Sequence, residues 1–454
     1  MLYTRSLLLA GTVLLIGSCR KDSTVSPVIP TGPVTQAEIN SWVLDSMHYF
    51  YLWNQQLPAK ADTTLIPPSF LLKLRQQEDV FTSLINPDDP ETLPVSLYNN
   101  FGLDIGVIDF PASPTGVIGV VKIVVANSYA ASKFSRGSYL TKINNTPVTA
   151  ANASSLIADV LKAKSGSFTP AIYTNGILTE GTPVQLTFGY TRENPVYATT
   201  LSTAGKKVGY LFYNSFNDNY TSSLIGAFRQ FMSDNVQSLI IDLRYNSGGS
   251  IAAAAVLTTL IADGISEGSS YIQLKGNNIQ GSFTMNLKET LAVPESGSPA
   301  TFSSLQSYRL RLAKVYILTG HQTISAAELL INNLKPYTQV IQIGNATYGK
   351  DKGAVIIRDM RTPKRIPWVL QPITYRLANA KGEGGYTNGI APQYTVDEMS
   401  QQPLTAFGNP ADPLVSTALS LITGTGRRSV PEATTRKYYE SVPTSEAVII
   451  PRKK

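Results

Sequence analysis

Ser325, Lys350 and the pair Gly248-Gly249 are the residues of this 454-residue chain whose types and spacing could do chemistry together. Ser325 follows the apolar run "VYILTG" and opens "SAAELL", a helical pattern. At a helix start the free amide N–H groups favour developing negative charge, so Ser325 could be a nucleophile. The same residues, Ser325-Ala326-Ala327-Glu328, also read as a capping box, in which Ser accepts from the backbone and Glu bonds back. A serine hydroxyl is a poor nucleophile until a base takes its proton, and a lysine is such a base only when neutral. An exposed lysine titrates near about 10.4, and desolvation can lower that by several units. Lys350 in "TYGK" is expected to be desolvated by strand-end loops and within hydrogen-bonding reach of Ser325, with Lys352 and His321 as rivals. In "YNSGG", Gly248 and Gly249 let backbone approach a ligand and expose N–H groups. One of these, with the Ala326 N–H, could hold an oxyanion, each donor being worth about 3–4 kcal/mol.

These loops need a scaffold, and the hydrophobic pattern supplies one from about residue 193 to 425. "KVGYLFYNSF", "SLIIDLRYNSGGS", "VYILTG" and "QVIQIGNATYGK" read as apolar strands, alternating with helices over "TSSLIGAFRQFMSD" and "IAAAAVLTTLIAD". That alternation predicts an α/β core with strands buried on both faces and chemistry at their carboxyl ends. Residues 99–192 carry short β-rich runs, "GVIGVVKIVV", "SYLTKINN" and "PVQLTFGYT", with one helix over "NASSLIADVLKA". Residues 36–98 read as helical. "QAEINSWVLDSMHYFYLW" puts Ile39, Trp42, Val43, Met47 and Phe50 on one face, and a second helix is expected over "PSFLLKLRQQEDVFTSLI".

The ends carry other signals. "MLYTRSLLLAGTVLLIGSC" has a basic residue, a short apolar stretch and small residues before Cys19, as in a secretory leader over residues 1–18. Residues 19–35 are rich in Ser, Pro and Gly and read as a tether; residues 426–454 form a C-terminal tail. Cys19 is the one cysteine, so no disulfide is expected. The two histidines, His48 and His321, lie far apart, and no metal or other cofactor is implied. The net charge of +7 is spread along the chain without a basic stripe, which argues against a nucleic-acid partner.

Three blocks, "SLIIDLRYNSGGS", "TISAAELL" and "TYGK", resemble the signatures of the carboxyl-terminal processing (tail-specific) serine peptidases. The 25-residue interval from Ser325 to Lys350 matches that family's spacing, and "GYTNGIAPQYTVDE" resembles a later block, with Gln393 where Asp is common. "FGLDIGV" resembles the carboxylate loop of a PDZ domain, and "VANSYAASKFSRGSYLTKINNTPV" a further PDZ stretch, with Ser138 and Asn145 in place of Asp and Gly. "IGSC" resembles a bacterial lipobox, and "INSWVLDSMHYFYLW" the helical segment of the lipoprotein branch found in Bacteroidetes.

The resemblance implies a multidomain α/β fold: an N-terminal helical segment, a PDZ-like β-rich module and an α/β core of the tail-specific protease, crotonase-like type. It implies Ser325 as nucleophile, Lys350 as general base, Ala326 and Gly248 (or Gly249) as oxyanion donors, and Glu328 as support for the helix start. Phe101, Gly102 and Leu103 would form the peptide-carboxylate loop. The implied partners are polypeptides held by their C-termini and a membrane, outer by resemblance, reached through lipidated Cys19. One departure is Ala354, where many members carry a Gln that orients the lysine. The competing reading is a PDZ lipoprotein that binds C-terminal tails without cutting them.

Overall fold

The computed structural model describes residues 32–425, 436–441 and 448–449. Cys19 and the leader lie outside the described residues. Among those described, no helix is long and apolar enough to cross a membrane.

The chain opens with the helix Gln36–Phe50, started by Thr35, whose hydroxyl accepts from Glu38 N at 3.2 Å. A second helix, Pro67–Leu74, begins on a proline, whose missing N–H costs nothing at that position. It does not run on to Ile85 as its sequence suggests. Asp79 Oδ1 accepts from Phe81 N (2.9 Å) and Thr82 N (3.0 Å), which diverts the backbone out of helical bonding. Ser83–Ile85 then pairs antiparallel with Val369–Gln371. Both helices share one apolar cluster with the central sheet: Val43, Met47, Tyr51 and Phe70 pack with Ile241, Ile317 and Leu330. The N-terminal segment therefore folds onto the α/β core and has no separate core of its own among the described residues.

Residues 103–187 form the β-rich module. Leu103–Asp109, Val117–Val124, Tyr139–Ile143, Ser165–Thr174 and Ile177–Glu180 lie side by side, and the helix Ala153–Ala163 packs on the sheet. Leu103, Ile105, Val107, Val121 and Phe168 fill its interior.

The α/β core is a six-stranded sheet. Its order is Tyr394–Thr395, Gln339–Gly344, Lys314–Thr319, Ser238–Asp242, Lys206–Tyr213, Val196–Thr203. All pairs are parallel except the last. This is the alternating arrangement expected of the apolar strand runs, with helices Thr221–Ser233, Ile251–Ile261 and Ala326–Leu334 as crossovers. Every residue of Ile251–Ile261 is buried, and its alanines let it pack against Ala326–Leu334. A five-stranded sheet holds Ser282–Asn286, Ser270–Lys275, Ile373–Ala378, Lys352–Ala354 and Val448–Ile449.

A buried charge cluster locks the module to the core. Arg244, at the carboxyl end of Ser238–Asp242, meets Asp242 (2.8 Å), Asp412 (2.9 Å) and Glu398 (3.2 Å). Arg136 reaches in from the module and donates to Lys122 O (2.6 Å), Tyr245 OH (2.7 Å) and Thr405 O (2.8 Å). Its guanidinium also lies 4.5 Å from the centre of the Phe407 ring. Each buried cation meets several acceptors here, the condition under which a buried charge is tolerated.

Candidate active site

Ser325 sits between the strand Lys314–Thr319 and the helix Ala326–Leu334, at φ 65°, ψ −114°. A non-glycine residue in such a conformation costs on the order of 1–3 kcal/mol and persists only where its surroundings hold it. The holding group is Glu328. Its Oε2 accepts from the Ser325 N–H at 2.8 Å, the Glu half of the capping box. The serine half is absent. Ser325 Oγ is buried without a hydrogen-bond partner, so the hydroxyl does not cap the helix and remains available for chemistry.

Glu328 does more than the sequence suggests. The same Oε2 accepts from the Lys350 N–H at 2.8 Å, while Oε1 accepts from Gly349 N and Thr347 Oγ1, both at 2.6 Å. One fully buried carboxylate thus ties the backbone at Ser325 to the backbone at Lys350. Burial pushes the Glu328 carboxyl above its usual range, and the four donors pull it back. All four partners donate, so the ionised form is the one this geometry satisfies.

Lys350 is fully buried, with Nζ 4.7 Å from the centre of the Phe81 ring. The expected Ser325–Lys350 hydrogen bond is not formed, since Ser325 Oγ has no partner. The two residues are brought to one site by their shared carboxylate, without a hydrogen bond to the serine hydroxyl. The rivals are elsewhere engaged. Lys352 Nζ pairs with Asp351 Oδ1 at 2.7 Å, and the exposed His321 ring packs against Tyr348. His48 is half-buried, with Nε2 3.1 Å from Pro58 O.

Gly248 lies against the serine at φ +104°, and a Cβ there would stand 2.7 Å from Ser325 Cβ. Only glycine allows this approach. Its N–H is already committed, however, donating to Asn246 Oδ1 at 2.8 Å, because the Asn side chain folds back over its own loop. The Gly249 and Ala326 N–H groups donate to no acceptor among the described residues. Of the three expected oxyanion donors, these two are unspent and Gly248 is not.

Phe101, Gly102 and Leu103 lie apart from this centre. Phe101 ends the helix Leu97–Phe101 and is buried in the module. Gly102 caps that helix, its N–H donating to Tyr98 O at 3.2 Å, so this N–H is also spent rather than open to a carboxylate. Leu103 starts the strand Leu103–Asp109. A cleft of ≈ 560 Å³ runs between module and core, lined by Tyr98, Asp104, Asn214, Tyr245, Ser247 and Gln322 among others. It stops at residues adjoining the site: Ser247 precedes Gly248, and Gln322 stands three residues before Ser325. Among the described residues no cluster of His, Cys, Asp and Glu could hold a metal ion.

Sequence reading placed Asn246 and Thr347 in the candidate loops without giving either a role, and it did not single out Phe81 or Gln322. Asn246 carries a signal, since Asn two residues before glycine is a common turn acceptor. Phe81 and Gln322 carry none, because their roles depend on segments far away in the chain.

Residues 207–396, which hold Ser325, Lys350, Gly248 and Glu328, match the model of Peptidase family S41. Residues 38–99 match that of the Peptidase S41 N-terminal domain. Carboxyl-terminal-processing peptidase 3, chloroplastic, of Arabidopsis thaliana is 23% identical over 286 residues, 60% of this chain and 50% of that protein. A carboxyl-terminal-processing protease of Synechocystis sp. (strain ATCC 27184 / PCC 6803 / Kazusa) is 27% identical over 256 residues, 55% of this chain and 52% of that protein. The chain thus spans about half the length of these curated relatives. A solved Bacteroides fragilis NCTC 9343 protein assigned to the S41 proteases is 25% identical, with a TM-score of 0.67, over 88% of this chain and 100% of that one. The helical N-terminal segment and the sheet that carries Ser325 and Lys350 are thus matched in chain order by the two models, and the chain belongs to peptidase family S41.

Proposed function

We propose that this chain is a serine peptidase that hydrolyses polypeptides, with Ser325 as nucleophile and Lys350 as general base. The observation that carries this reading is the Glu328 carboxylate, which holds the Ser325 and Lys350 backbones within one hydrogen-bonded unit. In the reaction, Lys350 Nζ takes the Ser325 hydroxyl proton as Oγ attacks the scissile carbonyl. Desolvation favours the neutral amine this needs. Negative charge forms on the carbonyl oxygen beside the Ala326 N–H and a glycine N–H of the 248–249 loop. The lysine then returns its proton to the leaving amine, and water hydrolyses the acyl ester. Closing the gap between Ser325 Oγ and Lys350 Nζ is part of productive binding, since catalytic hydrogen bonds tighten in the substrate complex. Ala354 supplies no orienting amide. The Phe81 ring and the Glu328 bond to the Lys350 N–H take over the positioning.

The β-rich module is read as PDZ-like, receiving an extended C-terminal segment along the edge of Leu103–Asp109. The core is read as crotonase-like, and lipidated Cys19 as the anchor to the outer membrane. The relatives named for carboxyl-terminal processing support polypeptide tails as the substrate class. The unformed Ser325–Lys350 bond and the committed Gly248 N–H favour a second reading, capture of tails without cleavage.

The test uses soluble protein starting at residue 20, a loosely folded substrate ending in an apolar tail, and the variants Ser325→Ala and Lys350→Ala with folding checked. Cleavage by the parent that both variants lose supports the peptidase. Tail binding without cleavage supports the capture protein.

A further inference from the structure

The edge strand Leu103–Asp109 pairs with Val117–Val124 on one side. On its other side stands the chain's own C-terminal segment: Lys437–Glu440 pairs antiparallel with it, in the register Ile108↔Lys437, Val107↔Tyr439, Gly106↔Glu440. An open sheet edge is a template for an added strand, and here it is filled from within the chain. The direction matters. As the tail advances its partners fall from Ile108 to Gly106, so it runs toward Asp104 and the helix end at Phe101–Gly102.

Side chains fix this placement. Tyr438 and Tyr439 pack on the module's apolar interior, and Tyr438 OH donates to Asp109 Oδ1 at 2.7 Å. Ser441 Oγ donates to Asp104 Oδ2 at 2.6 Å. Gln322 Nε2 donates to Ser441 O (3.1 Å) and Ser441 Oγ (2.6 Å). The buried Lys122 ammonium binds Asp104 (3.1 Å) and Gln322 Oε1 (3.0 Å), with Glu440 at 3.9 Å. The tail therefore reaches the residue three places before Ser325 and contributes Ser441 to the lining of the cleft. Val448–Ile449 then pairs parallel with Gly353–Ala354, just past Lys350.

We propose that this C-terminal segment is a cis-acting occupant of the polypeptide docking edge, which a substrate must displace before its own chain can lie there. The inference rests on the reading of the edge strand as a docking surface for polypeptide tails. A tethered strand acts at an effective concentration on the order of millimolar, so it weakens the apparent affinity of any free peptide by a large factor.

The test keeps the full chain from residue 20 and replaces part of 426–435 with the recognition site of a specific protease. The purified protein is cut after folding, and the tail is removed by gel filtration. The probe is a fluorescent synthetic peptide with the sequence of residues 436–454, followed by anisotropy, and amide exchange is measured across 103–109. The inference expects uncut protein to bind the probe at least about tenfold more weakly than cut, stripped protein. It also expects amide protection at 106–108 to fall on stripping and return with probe. A cut tail that co-elutes with the protein and exchanges for probe supports it equally. Equal affinity before and after stripping, absence of binding in both, or unchanged protection overturns it. Peptidase assays on the same samples separate the two readings. Probe binding without any cleavage defeats the peptidase and leaves this inference standing, while equal cleavage before and after stripping without probe binding does the reverse.

Discussion

Glu328→Gln changes one atom, and the geometry makes it costly. In the parent, two carboxylate oxygens accept four hydrogen bonds, from Ser325 N, Lys350 N, Gly349 N and Thr347 Oγ1. A glutamine keeps one acceptor oxygen and turns the other into a donor NH2, which then faces two donors whichever way the amide is flipped. If the amide nitrogen replaces Oε2, it faces the N–H groups of Ser325 and Lys350. If it replaces Oε1, it faces Gly349 N and the Thr347 hydroxyl. Of these only the hydroxyl can rotate to accept. Each buried donor left unpaired costs about 1–3 kcal/mol, so the local loss is about 2–5 kcal/mol. Ser325, strained at φ 65° and held by this bond, is the residue expected to relax. The expected result is a fall in kcat of about 10²–10³ with KM changed less, since 1.36 kcal/mol is a factor of ten. Thermal unfolding should show a folded protein. A pH profile gives the sharper readout. Burial holds the Glu328 carboxyl above the ordinary range, so the parent should lose activity as acid protonates it, at a pH higher than for a typical glutamate. Its contribution to folding has the opposite sign. Raised in the folded state, it favours folding fully below the unfolded value, and that contribution is lost as pH rises through the folded value. The variant should lack the acid limb of activity. Activity within twofold of the parent, or an unchanged acid limb, would refute the view that this carboxylate positions the two residues.

Three more outcomes follow from the geometry. Gly248→Ala puts a methyl 2.7 Å from Ser325 Cβ at φ +104°, so cleavage should drop at least about 10²-fold at a stability cost of about 1–3 kcal/mol; unaltered steady-state rates would contradict it. Lys350→Ala should abolish turnover, whereas Lys352→Ala, whose lysine is tied to Asp351, should retain it within about tenfold; the reverse order would reassign the base. Burial alone would raise the Glu398 carboxyl, but the neighbouring Arg136 and Arg244 hold it down at about 2. This depressed value adds roughly 3 kcal/mol of stability above about pH 4.5, lost as pH falls toward 2. Urea unfolding at several acidic pH values should show a shallower decline in Glu398→Gln than in the parent, and parallel curves would count against it.

What the sequence determined by itself was local or repetitive. Apolar strand runs alternating with helices specified the central sheet, and Ser325-x-x-Glu328 specified a helix start whose Glu half is observed. Gly248 and Gly249 marked a loop where backbone comes close, and at Gly248 an added Cβ would stand 2.7 Å from Ser325 Cβ. These patterns are legible because the residues that cooperate are neighbours, so type and spacing suffice. What only the tertiary structure decided lies at long separation. Glu328 also serves Thr347, Gly349 and Lys350, and Phe81 comes from the N-terminal segment to lie on Lys350. The helix expected to reach Ile85 ends at Leu74, because Asp79 offers the backbone competing bonds and a distant strand offers Ser83–Ile85 a partner. Gly248 turned out to spend its N–H on Asn246, and the tail closed an edge that the pattern of residues 103–109 leaves open. A hydrogen-bond acceptor or an apolar ring in sequence does not state its partner. That is chosen when packing brings separate segments within about 3 Å of one another, where a buried donor must find an acceptor or be costly to leave unpaired.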